Sequence, residues 1–147
     1  MGRRALAALA LLLSAGIACS ARVDGPPHLE EDRTTCSHCG MLVSERMFAA
    51  GSRVRGGEAR VFDDIGCLLE AVRAEPGAAA AEFWFHDAAS RAWIDGRHAV
   101  FVRSPKLNTP MAGGMLAYAD ADAARAAAAS NGGRVIASLD AVLKGSP

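Results

Sequence analysis

The sequence predicts an α+β domain with a mainly antiparallel sheet and about three helices. Two patterns carry this prediction. Short runs rich in Val, Ile, Phe and Trp recur between Gly, Pro and Asn turn signals. Three other stretches each begin at a residue able to cap a helix. At 147 residues one domain is expected, and the chain is long enough to bury a real core. No internal repeat is present.

The elements follow in order. Cys36–Gly40 forms a tight knuckle. Arg46–Ser52 and Glu58–Phe62 read as strands joined by a turn near Gly56-Gly57. Asp63 or Asp64 caps a helix in which Ile65, Leu68, Leu69 and Val72 share one face, and Pro76-Gly77 ends it. Glu82–His86 and Arg91–Ile94 are strand-like. Asp95-Gly96 signals a hairpin whose return strand is His98–Val102. Ser104–Gly114, with Pro105, Pro110, Gly113 and Gly114, reads as a loop, and Met115–Ala119 as a short strand. Asp120 or Asp122 caps an Ala-rich helix that stops at Asn131-Gly132-Gly133. Arg134–Ala137 is a last strand, and Ser138 caps a closing helix through Lys144.

Residues 1–18 read as a secretory signal peptide. Arg3 and Arg4 precede the apolar run Ala5–Leu13, and the small residues Ser14-Ala15-Gly16-Ile17-Ala18 lead to Cys19. The apolar run is too short for a transmembrane helix. A cysteine directly after Ala18 is similar to the lipid-modified first residue of bacterial lipoproteins, although Gly16 stands where leucine is usual. Lipid on Cys19 would anchor the protein to a membrane and leave the domain in water. Residues 19–33, with Gly25-Pro26-Pro27 and Glu30-Glu31-Asp32, are expected to form a flexible tether, and 34–147 the domain.

The 16 basic and 16 acidic residues cancel; without Arg3 and Arg4 the balance is −2. Nucleic-acid binders carry a basic surplus to neutralise phosphate, so no nucleic-acid partner is expected. Nucleophile-elbow, phosphate-loop and zinc-protease motifs are absent, which argues against a catalyst. Asp63 and Asp64 are neighbours whose side chains diverge, and a helix cap is their simpler explanation.

Sulfur is the informative element. Beyond Cys19 the cysteines are Cys36, Cys39 and Cys67, an odd number that cannot pair completely. Cys36 and Cys39 lie in Cys36-Ser37-His38-Cys39-Gly40-Met41, where two sulfurs can face one ion. A redox dithiol or a structural disulfide would use the same spacing. The dithiol of a thioredoxin-like fold follows a strand and opens a helix, whereas this knuckle follows a linker. Zinc would call for a second ligand pair at finger spacing, which is missing. Thioethers stand nearby at Met41 and, in the loop, at Met111. Thiolate and thioether donors select Cu(I), a polarizable ion suited to polarizable ligands. His38 is a further candidate ligand. Cys67 lies in an apolar helical pattern and reads as a small core residue. Met47 and Met115 read as core, His86 and His98 as structural strand residues, and His28 as solvated.

Three segments, in order, resemble the nitrous-oxide reductase accessory lipoprotein family (NosL). Cys36-Ser37-His38-Cys39-Gly40-Met41 is similar to its Cys-x-x-Cys-Gly-Met motif. Phe62-Asp63-Asp64-Ile65-Gly66-Cys67 resembles its second block, and Thr109-Pro110-Met111-Ala112-Gly113-Gly114 its Pro-Met-Gly-Gly block, with Ala112 where glycine is frequent. The resemblance implies ββαβ-type units like those of the alkylmercury lyase fold. It implies an exported Cu(I) metallochaperone on the periplasmic face of a bacterial membrane, supplying nitrous-oxide reductase together with a membrane ABC-type maturation complex. Carried over by residue, the copper ligands would be Cys39, Met41 and Met111, then Cys36 and His38, and last Cys67. The rival expectations are a thiol–disulfide oxidoreductase or an organomercurial-lyase-like enzyme using Cys36 and Cys39.

Overall fold

The computed structural model describes residues 25–75, 77 and 81–145. The signal-peptide and Cys19 readings, and Pro76, lie outside the described residues. Strand β1 (Ala50–Arg53) pairs antiparallel with β2 (Ala59–Phe62) on one side and β3 (Glu82–His86) on the other, and β4 (Trp93–Asp95) follows β3 at the edge. A second sheet has β5 (Val100–Arg103) at its centre between β6 (Met115–Tyr118) and β7 (Arg134–Ile136). Helices α1 (Ile65–Ala74), α2 (Ala121–Ser130) and α3 (Leu139–Leu143) complete the α+β fold. Among the described residues no helix is long and apolar enough to cross a membrane.

The hairpin expected at Asp95-Gly96 does not form. The turn is present, with the His98 amide donating to the Asp95 carbonyl at 2.9 Å. The chain then leaves the first sheet instead of folding back on β4. The reason lies in β5. Phe101 and Val102 point to opposite faces and both are fully buried, so this strand needs cover on both sides and takes the centre of its own sheet. The expected single sheet is therefore two. They meet through Phe85 and Phe101, stacked edge to face at 4.9 Å, and through the parallel bridge between Asp87 and Ala117. The buried Asp87 carboxylate reinforces that seam, accepting from the Ser90 amide and hydroxyl and from the Ala119 amide at 2.6–3.1 Å.

The caps are Asp64, Asp120 and Ser138, whose side chains accept from the amides of Cys67, Ala123 and Ala141. Such caps hold backbone donors that the helix cannot satisfy, each worth about 1 kcal/mol. Two expectations need correction. Arg46–Phe48 is a 3-10 turn and not the start of a strand, because the Phe48 and Ala49 amides bond three residues back, to Glu45 and Arg46. The packed domain also begins earlier than residue 34. Pro27 and Leu29 are buried, and Leu29 packs with Val43, Ala49, Val61 and Trp93. Gly51 receives Pro27: a Cβ there would lie 2.5 Å from the proline ring, so only glycine lets the segment dock.

Candidate metal centre

The knuckle is a closed hairpin. The Cys36 amide donates to the Met41 carbonyl at 2.8 Å, the Gly40 amide to the Cys36 carbonyl at 3.1 Å, and Thr35 bridges Leu42. Gly40 turns the chain at φ +78°, the left-handed region that glycine enters without a Cβ penalty. Ser37 then anchors the hairpin to β2, its amide donating to the Val61 carbonyl and its hydroxyl accepting from the Val61 amide. This places the knuckle over the end of β2, where Asp63 follows, and over the first turn of α1, which carries Cys67.

The ligand atoms of Cys36, Cys39, Asp63 and Cys67 consequently lie within 4.8 Å of one another. Cys36, Asp63 and Cys67 are buried, and Cys39 is half-buried. The Cys39 Sγ is 3.8 Å from Asp63 Oδ2, and all three thiols are free. Thiolate–metal bonds of about 2.3 Å, as in zinc sites, put neighbouring donors about 4 Å apart, so a small contraction closes this group on one ion. Three sulfurs to one oxygen is a predominantly soft donor set.

Burial pushes the Cys36 thiol up; backbone amides of Cys39, His38 and Asp63 work in the opposite direction. Cys67 is raised much further, first by burial and then by its hydrogen bond with Asp63. Both are neutral thiols in the metal-free protein at neutral pH, and a metal must displace their protons to bind.

Two readings of this region change. Asp63 is not a cap: Asp64 caps α1, with Oδ1 accepting from the Cys67 amide at 2.9 Å, while Asp63 joins the thiols. One acid suffices for a cap, and the surplus acid four positions before Cys67 is the signal that could have found it. Cys67, read as core from its helical pattern and placed last among the ligands by the resemblance, is buried and also lies inside the cluster. His38 is not among the four; its Nε2 sits 3.0 Å from Glu70 Oε2 at the surface.

The methionines differ in burial. Met41 is 46% exposed and Met111 40%; Met115 is buried in the core with Phe85 and Phe101, whereas Met47 packs against a separate apolar group around Phe48, Val102 and Leu116. Met41 and Asp63 border one surface hollow with Ser44, Glu45, Thr109 and Pro110. The loop bearing Met111 is docked on Asp64, which brings the third motif to the edge of the first two. His86 is buried in β3 as expected, and His98 lies exposed in the turn after β4 rather than in a strand.

The fold and this cluster define a small α+β domain with a thiol-rich centre able to hold one metal ion. A family model described as NosL matches residues 27–143, and the chain belongs to the NosL family. No curated protein sequence matches it significantly. The crystal structure of the copper chaperone NosL from Shewanella denitrificans has a similar fold, with a TM-score of 0.68 at 19% identity, covering 79% of this chain and 95% of that one.

Proposed function

We propose that this protein is a Cu(I) carrier, exported and held at the periplasmic membrane face by lipid on Cys19, that supplies copper for maturation of nitrous-oxide reductase in concert with a membrane ABC-type complex. The observation that carries the reading is the Cys36–Cys39–Asp63–Cys67 cluster in a member of the NosL family. Cys39, half-buried between buried thiols and exposed thioethers, is the residue through which the ion enters and leaves. Met41 and Met111 supply neutral donors at the rim. A neutral thioether holds Cu(I) without adding charge, so the ion can pass to a partner's ligands by exchange and never be free.

The test is competition between the reduced protein and a Cu(I) chelator. Met41→Leu and Met111→Leu keep volume at exposed positions, so the fold should survive with a cost under about 1.5 kcal/mol. Cu(I) affinity should fall in each, and further in Cys39→Ser, which removes a charged ligand. Undiminished affinity in the double methionine variant, or preference for zinc under reducing conditions, refutes the reading.

One observation favours a second reading, an organomercurial-cleaving enzyme: Asp63 is an acid beside three thiols. It requires mercury release from an alkylmercury compound with turnover, and loss of that release in Asp63→Asn.

A further inference from the structure

We propose that Asp64 is a positioning residue that locks the Met111 loop to the thiol cluster, so that thioether and thiols act on the same ion. The proposal rests on the copper-carrier reading and assigns to Asp64 a task beyond capping α1. Asp64 is 1% exposed and its two oxygens face different parts of the site. Oδ1 accepts from the Cys67 amide at 2.9 Å. Oδ2 accepts from the Thr109 hydroxyl at 3.0 Å and from the Met111 amide at 2.9 Å. Thr109 Oγ1 in turn accepts from the Gly114 amide at 3.2 Å, closing the loop on itself. The two backbones also touch: a Cβ on Gly113 would lie 3.3 Å from the Gly66 Cα. One buried carboxylate thus bonds the residue that bears the innermost thiol and the residue that bears the rim thioether.

A cap needs one oxygen; the second is spent on the loop. Asn at this position would separate the two tasks. Its single carbonyl can keep the Cys67 amide, since Asn is a good cap. Its NH2 group then meets the Met111 amide donor to donor, while the Thr109 hydroxyl can turn to accept from it, so the loop loses its backbone anchor at Met111. Asp64→Asn should therefore behave as a loss of Met111 while leaving the thiols assembled.

The experiment is a double-mutant cycle on the reduced full-length protein, read by Cu(I)-chelator competition and by the NMR signals of the methionine methyl groups. Asp64→Asn is expected to lower Cu(I) affinity about tenfold to a hundredfold, the range for residues that orient ligands. The double variant Asp64→Asn, Met111→Leu should be no weaker than Met111→Leu alone, because both remove the same interaction. In Asp64→Asn the Met111 methyl should cease to shift on adding Cu(I) while the Met41 methyl still shifts. Thr109→Val, which removes the hydroxyl bond to Asp64 and the acceptor of the Gly114 amide but leaves the Met111 amide bond, should give an intermediate loss, rescued by Thr109→Ser, and this series decides the matter if Asp64→Asn does not fold. Full affinity in Asp64→Asn, or an additive loss with the Met111 methyl still responding, overturns the positioning role. Met111→Leu with unchanged affinity instead overturns the thioether ligand itself, and the positioning role with it.

Discussion

Acid should weaken this domain through one histidine. His86 is 2% exposed, its ring 3.8 Å from that of Trp93. Its Nδ1–H donates to the Arg91 carbonyl at 2.8 Å, which leaves a lone pair on Nε2, and Nε2 has no hydrogen-bond partner among the described residues. Protonation would put a charge and a new donor into an apolar site. Burial is accordingly the main cause that pushes the group from 6.5 down to about 4; the Arg91 carbonyl opposes this and the Arg46 guanidinium adds to it. The unfolded chain binds the proton near 6.5 and the folded chain only near 4, so between those values the unfolded state holds more protons. Stability is full above about 6.5 and falls as pH drops toward about 4. At about 1.4 kcal/mol per pH unit, the loss is about 3 kcal/mol, a large fraction of the usual 5–15 kcal/mol. Asp95, held down to about 2 by Arg97, adds its own loss only below its ordinary 3.8, so the two windows separate. Urea unfolding at several pH values between 7.5 and 4.5, for wild type and His86→Phe, is the assay. The variant should start less stable, having lost the bond to Arg91, yet lose little more on acidification. Parallel decline of the two proteins across this window would refute the argument.

Two further outcomes follow from the site. Mild oxidation of the metal-free protein should close one disulfide among Cys36, Cys39 and Cys67, leave one titratable thiol, and abolish Cu(I) uptake until reduction; equal uptake in both states would remove the thiols as ligands. Ala112 sits at φ +54°, a conformation that costs a side chain about 1–2 kcal/mol, so Ala112→Gly should stabilise the protein by about 0.5–1 kcal/mol after the entropic cost of glycine, read as a higher melting temperature.

Much of the architecture was legible because its signals are local. Helical spacing at Ile65, Leu68, Leu69 and Val72, a cap at Ser138 and at one acid of each pair Asp63/Asp64 and Asp120/Asp122, and the turn at Gly40 depend on residues within a few positions of one another. The partition into two sheets was not legible. Asp95-Gly96 specifies a tight turn, but which strand lies beyond it depends on the double-sided burial of Phe101 and Val102 by segments distant in the chain. Likewise Leu29 reads as part of a Gly/Pro tether until Gly51 provides the surface on which its segment docks.

At the site the sequence by itself determined the chemistry: thiols at Cys36 and Cys39 on a glycine turn, and thioethers at Met41 and Met111, because donor type is a property of each side chain alone. Only the tertiary structure decided the constellation. It brought Cys67 and Asp63 beside the knuckle, turned His38 away to Glu70, and gave the neighbours Asp63 and Asp64 different work. The physical reason is distance in the chain: these groups meet because β2 runs beneath the knuckle and delivers the start of α1 to it, through backbone bonds between Ser37 and Val61 that no local pattern announces.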